Sequence, residues 1–297
     1  MKDNKTLLAW IMLISLSLIW GSSFILIKRG LEILSPGEVG ALRIVSAGVF
    51  LTPFALSRLK KVEKTDWRFL LSVGFVGSLL PAFLFAIAQT QLPSSITGVL
   101  NALTPIFTIL IGLFIYKVRQ SRRVFAGIAI GFVGTTILIM ARSTGELAIN
   151  AYALLVVMAT LFYGTNLNII KNHLQHLKAL TITSVSLMMV GPMAAFYLFG
   201  YTDFTYKLSH VEGAWLSASY ILILGVVGTA LALIIFNNLV QITTPVFTSS
   251  VTYIIPIVAV IWGLLDGEEL IWLHYLGMAG IITGVYITNY RRKPKGD

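Results

Sequence analysis

The 297-residue chain is 57 % hydrophobic and only 11 % charged, whereas a water-soluble domain ordinarily spends about a quarter of its residues on Asp, Glu, Lys and Arg, so water is not its main solvent. Its formal charge of +10 does not point to nucleic acid, because the basic residues punctuate apolar runs instead of gathering on one face among aromatic readers. The absence of cysteine excludes a disulfide framework, a thiolate metal site and a cysteine nucleophile.

Crossing a hydrocarbon core of about 30 Å at about 1.5 Å per residue takes about 20 mostly apolar residues. Ten such stretches follow one another. The first five run from Leu7 to Ile27, Gly37 to Leu56, Phe69 to Gln89, Ser94 to Tyr116 and Val124 to Ala141. The second five run from Ala151 to Ile170, Thr181 to Gly200, Ala214 to Phe236, Thr244 to Leu265 and Trp272 to Tyr290. Lys2 and Lys5 precede the first run in the manner of a signal peptide, but the run is longer than a signal core and lacks an A-x-A site, so it is expected to stay as a span. The links are short. Lys and Arg collect at one side of the array, in the N-terminal tail, between Arg58 and Arg68, between Lys117 and Arg123, at Lys171 and Lys178, and from Arg291 onward. Only Lys28, Arg29, Arg142 and Lys207 fall on the other side, which predicts that both termini are cytoplasmic.

The two sets of five are copies of one another. When Leu18 is laid on Leu161, Gly21 meets Gly164, Ile27 meets Ile170 and Lys28 meets Lys171, with Trp20 over Tyr163. Farther along, Gly74 and Gly77 fall over Gly225 and Gly228, Pro105 and Gly112 over Pro256 and Gly263, and Gly127 and Gly134 over Gly277 and Gly284. Repeats are therefore expected over residues 1–145 and 146–297. An odd number of crossings brings the second copy into the bilayer from the opposite side, giving an all-α integral membrane protein of ten transmembrane helices in two inverted five-helix repeats. Such repeats are typical of secondary transporters, with the site near the midplane between them. The basic link holding Lys117, Arg119, Arg122 and Arg123 against the acidic one holding Asp266, Glu268 and Glu269 fits opposite faces of the membrane.

The sequence resembles the EamA-domain family of the drug/metabolite transporter superfamily, whose members are ten-helix carriers. The likeness rests on Trp20-Gly21-Ser22-Ser23-Phe24, on Pro36 followed by Arg43, on Pro105 and Pro256, and on the stretch from Gly267-Glu268-Glu269-Leu270 to Gly277. It departs from the family at Tyr116, Lys117 and Val118, where an acidic residue is expected, and at Tyr163-Gly164-Thr165-Asn166, where a tryptophan-glycine pair is expected. The resemblance implies a bacterial inner-membrane exporter of amino acids, related metabolites or drugs, with nucleotide-sugar or sugar-phosphate carriage as the alternative.

Polar side chains inside spans usually face the bundle interior or a wet cavity. The candidate substrate residues are Trp20, Ser22 and Ser23 in the first span, Asn101 in the fourth, Tyr163, Thr165 and Asn166 in the sixth, and Thr252 and Tyr253 in the ninth. Pro105 and Pro256 are candidate hinges, since each clashes with the carbonyl four residues earlier. Gly21 and Gly164, and the rows Gly127, Gly131, Gly134 and Gly277, Gly280, Gly284, read as close-packing positions, within the chain or in a homodimer. Gln89, Gln91, Asn237 and Asn238 lie near span ends and read as solvated or capping. Arg43 is the one charge well inside a span, to be either a lock between helices or the binder of an anionic solute group. All acidic residues fall in tails, links or span ends, which leaves no midplane acid as a proton carrier. His173, His176, His210 and His274 are scattered, and neither a catalytic set, a metal site nor a cofactor is expected. The partners expected are a small-molecule solute and the lipid bilayer. A channel or sensory membrane protein is the remaining alternative.

Overall fold

The computed structural model describes residues 2–118, 120–141, 150–242 and 251–289, and among them no strand occurs. Lipid offers backbone N–H and C=O groups no partner, so each apolar run satisfies them internally as a helix. The first set is α1 (Leu7–Gly30), α2 (Pro36–Leu56), α3 (Asp66–Ala88), α4 (Ser94–Phe114) and α5 (Arg122–Met140). The second is α6 (Ala151–His173), α7 (Ala179–Gly200), α8 (Ala214–Phe236), α9 (Val251–Leu265) and α10 (Trp272–Asn289). Helices α1 to α8 are each long and apolar enough to cross a membrane. Residues 243–250, where the ninth span is expected to begin at Thr244, lie outside the described residues.

Local chemistry fixes the helix ends. Ser35 caps α2: its hydroxyl accepts from the Glu38 backbone N–H at 3.3 Å, and its own N–H donates to the Glu38 carboxylate at 2.6 Å, the reciprocal capping box. Pro36 occupies the first turn, where its missing N–H costs nothing. Asn150 caps α6 by accepting from the Tyr152 N–H at 3.0 Å.

The packing maps onto itself when each helix is exchanged for its counterpart five positions along the chain. Helix α1 packs on α8 and α9 as α6 packs on α3 and α4, and α2 meets α8 as α7 meets α3. The self-matched pairs α2–α7, α4–α9 and α5–α10 meet across the axis. Glycines let the backbones touch there. A Cβ at Gly134 would lie 2.6 Å from the Ile281 nitrogen and 2.7 Å from the Gly277 oxygen, and one at Gly127 would lie 2.8 Å from the Gly284 oxygen. Both glycine rows therefore pack on each other within one chain. Gly21 and Gly164 also act as close-packing positions, with a Cβ placed 3.1 Å from the Ile255 oxygen and 2.8 Å from the Thr108 nitrogen respectively.

Two wide π turns interrupt the helices, Phe75–Leu79 in α3 and Val226–Leu231 in α8, and they occupy matched positions of the two repeats. A 3-10 turn, Asn101–Leu103, precedes Pro105 in α4, and Pro256 lies inside α9.

Replacing Gly134 with Val is expected to destabilise the protein by about 1–3 kcal/mol, the usual cost of overpacking, because the colliding atoms are backbone on α10. Replacing Gly200 with Ala, where a Cβ meets nothing within 4 Å, should leave the melting temperature in detergent unchanged. Equal melting temperatures for both variants would show that the α5–α10 contact is not tight.

Candidate functional site

A cavity of about 560 Å³ lies between the repeats, a size that suits a small metabolite. The first repeat lines it with Trp20, Ser23, Phe24 and Ile27 of α1, Arg43 of α2, Gly77, Ser78 and Phe85 of α3, and Asn101, Ala102 and Thr104 of α4. The second contributes Tyr163, Asn166 and Leu167 of α6, Gly228, Thr229, Leu233 and Phe236 of α8, and Val251, Thr252 and Ile255 of α9. Much of the wall is duplicated by the repeat: Trp20 answers Tyr163, Ser23 answers Asn166, Gly77 answers Gly228, Ser78 answers Thr229, Phe85 answers Phe236 and Asn101 answers Thr252. Ring contacts repeat as well, Trp20 to Phe236 at 5.5 Å and Tyr163 to Phe85 at 6.0 Å between centroids.

Of the residues predicted from sequence, Trp20, Ser23, Asn101, Tyr163, Asn166, Thr252 and Arg43 line the cavity. Ser22 and Thr165 do not. The Ser22 hydroxyl accepts the Trp262 indole N–H at 2.7 Å, and Thr165 donates back to the Leu161 carbonyl at 2.9 Å. The reason is helical geometry. Positions three and four apart share a face, so Trp20, Ser23, Phe24 and Ile27 point inward together while Ser22 is turned away, and Thr165 is its image in α6. The side chain of Tyr253 lies outside the described residues, as do those of Asn237 and Asn238. Pro105 and Pro256 do not line the wall. The Asn101 carbonyl that Pro105 leaves over accepts the Thr104 hydroxyl at 2.9 Å and is therefore already satisfied. Gln89, expected to be solvated, is buried and donates to the Phe24 carbonyl at 3.1 Å, because its side chain turns in against α1, while Thr90 and Gln91 beside it are exposed as span-end residues.

Phe24, Phe85 and Phe236 form aromatic walls that the sequence reading missed, and Ser78, Thr104 and Thr229 add hydroxyls. The signal for two of them was present, since Phe85 and Phe236 stand in register in the repeat. The π turn of α8 turns the Gly228 carbonyl toward Trp20, whose indole N–H donates to it at 3.0 Å. Arg43 donates from Nε to the Thr229 hydroxyl at 3.4 Å and lies beside the Tyr163 side chain. The side-chain oxygens Asn101 Oδ1 and Asn166 Oδ1 are buried with unmet hydrogen-bonding capacity.

The model of the EamA-like transporter family matches residues 7–140 and, a second time, residues 150–290. The chain belongs to the EamA-like transporter family. This EamA-like chain is 29 % identical to the "Uncharacterized inner membrane transporter YedA" of Escherichia coli K12, over 93 % of its own length and 88 % of that protein. It is 26 % identical to a "Probable amino-acid metabolite efflux pump" of Salmonella typhimurium, over 91 % of its length and 90 % of that pump. A crystal structure of a protein 17 % identical superposes with a TM-score of 0.61 over 94 % of this chain and 95 % of that one, a likeness of fold.

At the end of the bundle just beyond Ile27, this EamA-like transporter carries a cluster of charges. Lys28 pairs with Asp266 at 2.6 Å and Glu268 at 2.9 Å, and Arg29 pairs with Asp266 and Glu32. The Glu268 carboxylate also accepts from the backbone N–H groups of Ser94 and Ser95 at 2.7 and 3.0 Å and from their hydroxyls at 2.8 and 2.5 Å. One carboxylate thus ties the ends of α1 and α4 to the α9–α10 link. Burial pushes its carboxyl up, but the hydrogen bonds from Ser95 and Ser94 and the Lys28 ammonium outweigh burial and hold it below the usual carboxylate range. The acids described sit at span ends or links as expected, yet the carboxylates of Glu38, Asp66 and Glu268 are covered there, those of Glu38 and Glu268 paired with Lys207 and Lys28 and that of Asp66 3.0 Å from the His176 ring.

Among the described residues the other end carries no such carboxylate tie. The α4–α5 turn also holds one positive-φ residue, Lys117 at φ 57° against Gly267 at φ 78°, but its closing bond is one residue longer: the Val118 N–H reaches back six residues to the Gly112 carbonyl, whereas the Glu268 N–H reaches back five to that of Gly263. Val118 follows the positive-φ residue as Glu268 does, and it offers no carboxylate. Instead, His173 stacks on Phe69 at 4.1 Å and His176 meets Asp66 at 3.0 Å.

Because folding lowers the affinity of Glu268 for its proton, the stabilisation is whole above the usual carboxylate range and is lost as pH falls below it. Glu268→Gln should abolish that component. In this cysteine-free chain, an Ile27→Cys background reports on the same tie: Glu268→Gln is expected to raise its labelling by a membrane-impermeant thiol reagent several-fold at neutral pH. Identical labelling rates with and without the substitution would mean that the cluster does not close this end.

Proposed function

We propose that the protein is a secondary transporter that exports small amphipathic metabolites, amino acids or related solutes among them, across a bacterial inner membrane, with both termini cytoplasmic. It works by alternating access, the cavity facing each side of the membrane in turn. The observation that carries this reading is the duplicated lining: each repeat supplies an aromatic residue, a hydroxyl or amide and a π-turn segment at matched depth around one central space. A site placed on the pseudo-axis keeps the same solute contacts whichever way the repeats rock. The efflux pump named among its relatives supports export, and the excess of Lys and Arg on one side of the array supports cytoplasmic termini.

Amphipathic solutes suit the wall, in which Trp20, Phe24, Phe85 and Phe236 supply apolar area and Ser23, Asn101, Asn166 and Thr229 supply hydrogen bonds. A sugar phosphate or nucleotide sugar is disfavoured by charge, since Arg43 is the one cation lining the cavity among the described residues. No carboxylate lines it among them either, so the reading includes facilitated diffusion or exchange in place of proton coupling.

Counterflow in proteoliposomes tests this. Preloading with an amino acid such as leucine should accelerate uptake of the labelled solute, with saturation, and an imposed pH gradient alone should not concentrate it. Flux that rises linearly with concentration and ignores preloading would make the protein a channel. Accumulation driven by pH would end the uncoupled mechanism.

A further inference from the structure

Arg43 is the exception to the symmetry of the cavity. Its counterpart in the second repeat is Ser186, and the two positions make the same backbone contact: a Cβ at Gly225 would lie 2.7 Å from the Arg43 carbonyl oxygen, and one at Gly74 would lie 2.8 Å from the Ser186 carbonyl oxygen. The α2–α8 and α7–α3 contacts are thus equally close with an arginine in one and a serine in the other. Helix packing does not require the charge.

Among the described residues the guanidinium has no counter-charge. Its near neighbours are the neutral oxygens of Thr229, within hydrogen-bond reach, and of Tyr163 beside it, while the Lys and Arg ion pairs among the described residues join Lys28, Arg29 and Lys207 to the buried or interfacial acids. The stretch 243–250, outside the described residues, contains no Asp or Glu. An arginine well inside a span is costly and is retained where it meets an anion or a wet site. Arg43 has five N–H donors, of which these neighbours occupy only part. The Tyr163 hydroxyl beside it has an O–H of its own to give.

We propose that Arg43 selects the solute by charge, receiving one carboxylate in the cavity with Tyr163 as a second donor, while the unmet oxygens of Asn101 and Asn166 take a hydrogen-bond donor elsewhere on the same solute. This rests on reading the cavity as the solute site. Arginine fits a carboxylate through two parallel hydrogen bonds. A dianion would leave one charge uncompensated in a low-dielectric space, which is costly. The solute class is therefore a monocarboxylate with an apolar body and a donor group, of which an α-amino acid is the simplest form.

The test compares matched pairs on the purified full-length protein: leucine with leucinamide, methionine with methioninamide, phenylalanine with phenylalaninamide. Thermal stabilisation in detergent is the readout, and counterflow is run in parallel. The wild type is expected to bind the acids about ten- to a hundred-fold more tightly than the amides, the scale of a lost charge-assisted hydrogen bond. Arg43→Gln should bring the ratio close to one, Arg43→Lys should restore part of it, and Tyr163→Phe should weaken acid binding without erasing the preference. Size-exclusion profiles and unliganded melting temperatures establish that the variants fold, and the Lys variant serves if the Gln variant does not. Amides bound as well as acids, an acid preference intact in either Arg43 variant, or no pair bound at all would overturn the assignment. Saturable counterflow that ignores the carboxylate would discard the role of Arg43 and keep the carrier, whereas non-saturable flux would discard the carrier.

Discussion

Hydrocarbon cannot hydrogen-bond a peptide group, and this constraint governs where the backbone is allowed to deviate. A spanning helix that widens or breaks toward lipid strands a donor or an acceptor at a cost of several kcal/mol. The deviations in this protein are gathered around the cavity. The π turns at Phe75–Leu79 and Val226–Leu231 place Gly77, Ser78, Gly228 and Thr229 on its wall, and the 3-10 turn at Asn101–Leu103 places Asn101 and Ala102 there. The groups displaced from the helical ladder find polar side chains: Trp20 takes the Gly228 carbonyl and Thr104 the Asn101 carbonyl. The irregular backbone and the polar lining are thus two aspects of one feature, since each is tolerated only beside the other.

The same constraint shapes how the repeats meet. Between helices in lipid the hydrophobic effect offers little, so association rests on close van der Waals contact and on hydrogen bonds. Glycine supplies the first at α5–α10, at α1–α9 and at α4–α6. Where the protein uses charge, it places it at span ends, as in the Glu38–Lys207 pair and the Lys28–Asp266–Glu268 cluster, where water and opposite charges reduce the cost. Arg43 departs from that distribution, in keeping with the role proposed for it at the solute.

Most of the architecture was legible in the sequence because span length and repeat register are long-range signals. Ten apolar runs, matched glycines and matched prolines identify helices and pair them without knowledge of any side-chain contact. The site was legible in depth but only partly in direction. Trp20 with Tyr163 and Ser23 with Asn166 line the cavity, whereas Ser22 and Thr165, grouped with them on depth alone, are turned away from it, since one residue along a helix turns a side chain by about 100°. The π turns were not read from the sequence, although matched glycines, Gly74 and Gly77 against Gly225 and Gly228, fall at both of them. Gln89 was misjudged for a related reason: nearness to a span end does not say which way a side chain turns, and Gln89 turns in to the Phe24 carbonyl while Gln91, two residues on, is exposed.

The asymmetry of the two ends carries a consequence for alternating access. In an inverted repeat with identical halves, the state closed at one end and the state closed at the other are images of each other and have equal free energy. Real halves differ, and only the differences can bias the equilibrium. The Glu268 tie is such a difference, because Val118, which follows the positive-φ residue of the α4–α5 turn as Glu268 follows Gly267, offers no carboxylate. Each 1.4 kcal/mol that the tie contributes in the state closed at the Lys28 end, and does not contribute when that end is open, weights the resting population about tenfold toward that state. Under alternating access a solute opens the Lys28 end only to the extent that it is bound more tightly in the open form. The cavity residues that hold the solute and the carboxylate that holds the end shut therefore act on a single equilibrium, and the loss of either is felt through the other.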